Sequence, residues 1–415
     1  MPCPDRPGRT RGLLRCSVLA GTCSIVLAAI LLSGCGRGGA TTSATDDPAF
    51  EAPSVVFAGK PLEIAPPDCV SSILLEPETN TVLYEHNSHE RRAPGSIAKM
   101  MLELVVMREI EAGRLSLADS IRTSAWASRM GGSQVYLSEG ETFTLEDMLK
   151  AIAIASANDA CVAVAEHLAG TTSAFVSWMN REAQDLGLKD TVYRNVHGLD
   201  DEPGEGNETT AYDVAQLGRE LIRYPEILGW SSTPQALFRD GQFVLENTNR
   251  LVGHFDGLDG LKTGYTAKAG FCLCATASRN GMRLISVVLG CDSNRGRART
   301  SAQLLGEGFA GYVRTKVCGQ GESQGLEMKI PHGNPATIQP VPDRDLTLFV
   351  SRPDDRSLET RLVPDATLEA PLAAWQRVGT LQVISEGTVV AEVPVLTPIA
   401  VEGTGLVAWF KRIVG

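Results

Sequence analysis

The sequence predicts an α+β fold: helices packed around an antiparallel sheet, followed by a small all-β domain. Three observations carry this. Apolar residues recur at helical spacing in several stretches between residues 96 and 312. Two strand runs, 270–278 and 282–290, meet at Asn280-Gly281, the strongest short hairpin signal. After Cys318 prolines and alternating strands take over. A length of 415 residues fits two domains, and 43% hydrophobic residues supply ordinary cores.

In chain order, residues 1–34 read as a targeting segment: Arg6, Arg9, Arg11 and Arg15 precede an apolar run over 16–32. The run ends in Leu32-Ser33-Gly34-Cys35, which resembles the bacterial lipoprotein cleavage box, with Cys35 as the lipidated residue. The alternatives are an ordinary secretory signal and a transmembrane anchor, for which the run is marginal in length. Each puts the working protein outside the cytoplasm. The formal charge of -11 becomes -14 when residues 1–34, carrying four Arg and one Asp, are removed. That acidity excludes nucleic acid as a partner. Residues 35–53 are rich in Gly, Thr, Ser and Asp and read as a flexible tether.

The catalytic region is expected over 54–314. Runs at 70–75 and 81–85 form a hairpin around Pro77-Glu78-Thr79-Asn80. A helix follows over 96–112, with Met100, Leu104, Val105 and Ile110 on its buried stripe. Thr144 and Asp147 open a helix over 145–155. A second covers 159–168, and Ser173 caps a third over 174–186. A closing helix runs over 298–312. The β domain occupies 315–402, with strands near 346–350, 380–384 and 389–395, the last two joined at Glu386-Gly387. Residues 403–415 end the chain as an amphipathic segment: Leu406, Val407, Trp409, Phe410, Ile413 and Val414 share one side, Lys411 and Arg412 the other. This is the pattern of a helix lying on a membrane surface, too short to span; the alternative is a tail packed on the β domain.

Of ten cysteines, six remain after the leader and Cys35: Cys69, Cys161, Cys272, Cys274, Cys291 and Cys318. No disulfide framework is inferred, because a chain of this size stabilises itself by burial. Cys272 and Cys274 alternate on a strand and read as small core residues. No metal or cofactor is expected: His86 and His89 sit in a polar loop, and His-Glu-x-x-His is absent.

The chemistry rests on three strings in order: Ser96-Ile97-Ala98-Lys99, Ser156-Ala157-Asn158 and Lys262-Thr263-Gly264. A serine hydroxyl needs a base within hydrogen-bond reach. At i and i+3 on a helix, Ser96 and Lys99 share a face, and Pro94-Gly95 puts the serine at the helix N-terminus, where free N–H groups favour negative charge. Lys99 works as a base only if its pKa falls, through burial or through a second cation, Lys262. Ser156 and Asn158 are expected in an extended link between helices, facing one cleft; Asn158-Asp159 also reads as a helix cap. Lys262 and Thr263 suit a substrate carboxylate, Gly264 leaves room for close backbone approach, and the Tyr265 N–H pairs with that of Ser96 as an oxyanion hole.

On these residues the chain resembles the D-alanyl-D-alanine carboxypeptidases among the low-molecular-mass penicillin-binding proteins. The likeness extends to Gly131-Gly132-Ser133-Gln134-Val135-Tyr136-Leu137, to Ile154-Ala155-Ser156-Ala157-Asn158-Asp159-Ala160-Cys161, to Asn195-Val196-His197-Gly198-Leu199, and to the run from Gly257 to Thr266. The resemblance implies a β-lactamase/transpeptidase-like catalytic fold over about 54–314, plus the β module and terminal helix that several members carry. It implies Ser96 as nucleophile, Lys99 as base, Ser156 and Asn158 as the second element, and Lys262 and Thr263 as the carboxylate anchor. The implied substrate is a peptidoglycan stem peptide ending in D-Ala-D-Ala, with β-lactams as covalent inhibitors of the same serine. Both the lipid and the terminal helix would hold a bacterial membrane.

Three other readings stay open. A D,D-endopeptidase would cut cross-links with the same residues. A class A β-lactamase needs a glutamate to activate water, in a Glu-x-x-x-Asn string; here Glu202 and Asn207 are five apart, and Ala157 stands where that class has Asp. A non-catalytic wall-binding lipoprotein would tolerate loss of a motif, and none is lost.

Overall fold

A computed structural model describes residues 54–200, 206–355 and 357–405. The expected leader, tether and Cys35, and the terminal amphipathic segment from residue 406, lie outside these residues. No helix among the described residues is long and apolar enough to cross a membrane.

The strands that organise the molecule are Ser54–Phe57 (β1), Ser71–Glu76 (β2), Thr81–His86 (β3), Leu258–Thr266 (β4), Gly270–Arg279 (β5), Met282–Cys291 (β6), Tyr312–Cys318 (β7), Leu346–Ser351 (β8), Glu359–Pro364 (β9), Arg377–Ser385 (β10) and Thr388–Leu396 (β11). The main helices are Lys99–Glu111 (α1), Leu145–Ala155 (α2), Asn158–Ala169 (α3), Thr172–Asp185 (α4), Ala211–Leu221 (α5), Pro225–Ser231 (α6) and Asn294–Gly311 (α7).

The central sheet runs β3-β2-β6-β5-β4, antiparallel throughout. Its inner strands are apolar on both faces because helices cover both. Along β2, Ile73 and Leu75 enter the core beneath α1 and α5, while Leu74 enters the core beneath α7. Cys272 and Cys274 share the first face, as expected from alternation, and Leu273 and Ala275 the second. Each such fully buried Leu or Ile contributes roughly 1.5–3 kcal/mol. The β5–β6 turn forms where expected, with Asn280 and Gly281 both in the left-handed region (φ 50° and 75°).

Thr144 caps α2 as expected, its Oγ1 accepting from the Asp147 N–H at 3.1 Å. The cap of α4 is Thr171, not Ser173: the Thr171 hydroxyl accepts from the Ala174 N–H at 3.1 Å, so the helix starts one residue after it.

A disulfide joins Cys69, just before β2, to Cys291 at the end of β6. No disulfide framework is expected from the sequence. These neighbouring strand ends become close only once the sheet forms, so spacing along the chain gives no sign of it. Cys161, Cys272, Cys274 and Cys318 are free and buried.

In the C-terminal part, Val341–Pro342, β11, β10 and β9 form a second sheet over a core that includes Leu348, Leu381, Val383 and Val393. β7, β8 and β1 form a third, in which β8 pairs antiparallel with β7 and parallel with β1. The chain therefore begins its described course on a strand of the later region, with Phe57 against Phe349 and Tyr312.

Candidate active site

Ser96 lies in a 3-10 turn, Gly95–Ala98, that leads straight into α1. Met100, Met101, Leu102 and Leu104 bury the start of α1 on all sides, so Lys99 is carried inside with them and is fully buried. Its Nζ lies 2.7 Å from Ser96 Oγ and donates to the His197 carbonyl at 2.7 Å. Loss of hydration lowers the Lys99 amine to about 8. The Glu103 and Asp159 carboxylates oppose that fall. Lys262 is held below lysine's usual range by burial first and by repulsion from Lys99 second, a repulsion that two like charges exert on each other.

Ser156 and Asn158 occupy the joint between α2 and α3, and the link is not extended. Ser156 closes α2 in the left-handed conformation, φ 62°, and Asn158 is the first residue of α3. Asn158 is not a cap either: Ala157 holds that position without a side-chain bond, and Asn158 Nδ2 reaches back to the Gly131 carbonyl at 2.7 Å. Asp159 accepts from the N–H groups of Val135, Leu137 and Ala160. The motif thus ties the loop 131–137 to α3. Ser156 Oγ and Asn158 Oδ1 are buried without hydrogen-bond partners.

Lys262, Thr263 and Gly264 lie on the edge strand β4, paired in register with Cys274, Leu273 and Cys272 on β5. Gly264 is demanded by packing, since a Cβ there would come 2.3 Å from the Pro94 carbonyl oxygen and 3.2 Å from Ser96 N. The strand therefore touches the serine turn backbone to backbone, and Tyr265 N sits beside Gly95. Lys262 is buried, with its Nζ 3.3 Å from the Thr263 carbonyl, and the Thr263 hydroxyl lies 2.6 Å from that of Thr248.

The arrangement offers a hydroxyl, a buried amine beside it, and a buried second amine on an adjoining strand. Among the described residues there is no His/Cys/Asp/Glu cluster able to hold a metal. Residues 60–293 match the D-alanyl-D-alanine carboxypeptidase family, and residues 312–403 match the C-terminal domain of penicillin-binding protein 5. The chain belongs to the D-alanyl-D-alanine carboxypeptidases. It is 36% identical to the D-alanyl-D-alanine carboxypeptidase DacF of Bacillus subtilis, over 83% of this chain and 89% of that one. Penicillin binding protein 6B of Escherichia coli superposes with a TM-score of 0.68 at 28% identity, covering 82% of this chain and all of that one. Penicillin-binding protein D2 of Listeria monocytogenes, solved in its ampicillin-bound form, gives 0.55 at 30% identity, covering 60% of this chain and all of that one. The protein is a serine-type D-Ala-D-Ala carboxypeptidase of the cell envelope, acting on peptidoglycan stem peptides.

Several residues of this carboxypeptidase site are given no role of their own by the sequence, although His197 and Gly198 lie in one of the strings that resemble the family. His197 offers its backbone carbonyl to Lys99, and its ring accepts from the Leu199 N–H. Burial, helped by Lys99, holds that ring neutral, down to about 4. Gly198 permits this approach: a Cβ there would overlap the Gly95 carbonyl at 2.0 Å. Arg297 on α7 donates to the carbonyls of Gly264 and Cys272. Glu103, one turn after Lys99, is buried. A single buried arginine or glutamate in a helical run looks like any other until the fold sets it beside the site. The β-lactamase alternative gains nothing: Asn207 is occupied with the N–H groups of Arg194 and Asn195, and Glu202 lies outside the described residues.

Proposed function

We propose that Ser96 is the nucleophile and Lys99, as the free amine, its general base. One observation carries this: a fully buried Lys99 Nζ lies 2.7 Å from Ser96 Oγ with its pKa drawn down to about 8. Ser96 Oγ attacks the carbonyl of the penultimate D-alanine while Lys99 takes its proton. The developing oxyanion is met by the N–H groups of Ser96 and Tyr265. The C–N bond breaks, the departing D-alanine receives a proton through Lys99 and Ser156, and water then frees the acyl group from Ser96. Lys262 and Thr263 hold the terminal carboxylate, and Gly264 lets the substrate backbone lie close. Asn158, with its Oδ1 unpartnered, receives a substrate amide. A substrate carboxylate against Lys262 holds that amine charged, and the charge favours the free form of Lys99.

β-Lactams acylate the same serine in this reading, as supported by the ampicillin-bound Listeria relative. Release of a terminal residue is favoured over cross-link cleavage because a buried Lys262 suits a free carboxylate. Cys35 carries the lipid, and the amphipathic residues 406–414 serve as the second membrane contact, the expected start at 403 being taken up by the pairing of Gly403 with Gly333. Together they give the two signals that stable anchoring requires.

The test is incubation with a D-Ala-D-Ala-ended peptide and, separately, with benzylpenicillin, followed by intact mass and digestion. D-Alanine release and an adduct on Ser96, both lost in Ser96→Ala, are expected. Turnover that survives the substitution ends the proposal. Loss of detergent partitioning in Cys35→Ala tests the lipid.

A further inference from the structure

Glu103 is a carboxyl group in the wrong place for a structural residue. It lies on α1 one helical turn beyond Lys99, is 3% exposed, and its Oε1 has no hydrogen-bond partner. The surrounding positions on α1 are Met100, Leu102, Leu104 and Met107, all in the main core. An isolated carboxylate buried so costs several kcal/mol unless a charge nearby offsets it. The charges that act on it are Lys262 of β4 first and Lys99 of its own helix second. From α3 the cluster is joined by the Cys161 thiol, and by Asp159, whose carboxylate is held by backbone N–H groups. The charged groups of α4 and α5 nearest α1, Glu182 and Glu220, are engaged by Arg108, and Asp213 by Thr191 and the Asp190 N–H. Arg297 bears on Lys262.

We infer that Glu103 is a positioning residue for charge: its carboxylate keeps Lys262 protonated while Lys99 stays a free amine. With Glu103 ionised, a neutral Lys99 and a charged Lys262 make a buried cluster of zero net charge. Without it the same state leaves one uncompensated buried cation, and Lys262 sheds its proton instead. Glu103 touches neither substrate nor Ser96; it acts through the two amines. This rests on the roles proposed above for Lys99 and Lys262.

The experiment is the pH profile of acylation by benzylpenicillin and of kcat/KM for a D-Ala-D-Ala peptide, in the wild type, Glu103→Gln and Glu103→Asp. Loss of the carboxylate lowers both lysine pKa values. In Glu103→Gln both limbs therefore move to lower pH by about one unit or more, and KM on the alkaline side rises about tenfold, one unit of lost protonation at Lys262. Glu103→Asp keeps the wild-type limbs. Unmoved limbs with a uniform loss of rate would mean a purely structural residue and overturn the inference. Should Glu103→Gln not fold, side-chain NMR of lysine-labelled wild type across the pH range decides: Lys99 losing its proton at lower pH than Lys262 is expected, and the reverse order overturns it. Failure of the underlying serine mechanism shows separately, as turnover by Ser96→Ala.

Discussion

The catalytic region and the C-terminal β region of this carboxypeptidase fill their interiors differently. Beneath the serine turn lie Lys99, Glu103, Asp159 and Lys262, all buried. The region from 312 to 403 buries Leu346, Leu348, Leu381, Val383 and Val393, and among its described residues Asp343 is the one buried charged group, paired with Arg344. Burying charge costs free energy that apolar packing does not. The first region bears that cost where the proposed mechanism needs an amine to lose its proton; the second buries one ion-paired carboxylate among its described residues and is otherwise filled by apolar packing.

The sharpest way to break this contrast is to remove the reacting groups. Ser96→Ala and Lys99→Met are each expected to cost about four orders of magnitude or more in acylation, by analogy with other nucleophile and base deletions. Stopped-flow acylation checks the rate, and thermal unfolding of Ser96→Ala checks that the fold persists. A pH profile tests the same point without mutation. In the proposed mechanism only the free amine accepts the serine proton, so protonating Lys99 is expected to remove activity. With its pKa lowered to about 8, acylation should rise about tenfold per pH unit on the acid side and level off near that value. A profile still rising steeply far above it would show an ordinary lysine.

In the β region the prediction is the reverse. Leu381→Ala, fully buried on β10, should destabilise the protein by about 2–5 kcal/mol in denaturant unfolding and leave the acylation rate unchanged below the transition. A slowed acylation would join the two regions energetically. Asp159→Asn falls between them: it weakens the carboxylate's hold on Val135, Leu137 and Ala160, costs about 1–3 kcal/mol and slows acylation by loosening the loop that Asn158 grips. The smallest effect is Thr144→Ala, which removes the α2 cap and costs about 1 kcal/mol in the same unfolding assay.

What was legible in the chain was what neighbours in sequence decide. The three motifs, the Asn280-Gly281 turn, the Thr144 cap and the shared face of Cys272 and Cys274 all depend on a few adjacent residues. The misreadings at Thr171 and Ser156 are local but conformational: two hydroxyls compete for one cap, and Ser156 adopts the left-handed region that a non-glycine residue rarely does. Asn158 looked like a cap because its partner, Gly131, is 27 residues away. The pairing of β1 with β8, the Cys69–Cys291 bond and the place of Glu103 beside Lys262 arise only when distant segments meet.

The Cys69–Cys291 bond has a topological outcome. Ser96, Lys99, Ser156, Asn158 and Lys262 all fall inside the 222-residue span it closes, so the three motifs of the proposed reaction centre belong to one covalent ring, with Arg297 and the β region outside it. A protease that severs a single peptide bond within that ring cannot release a fragment. In an oxidising envelope a nicked molecule keeps its pieces together and able to re-form the site, and reductant would turn the same nick into loss of the enzyme.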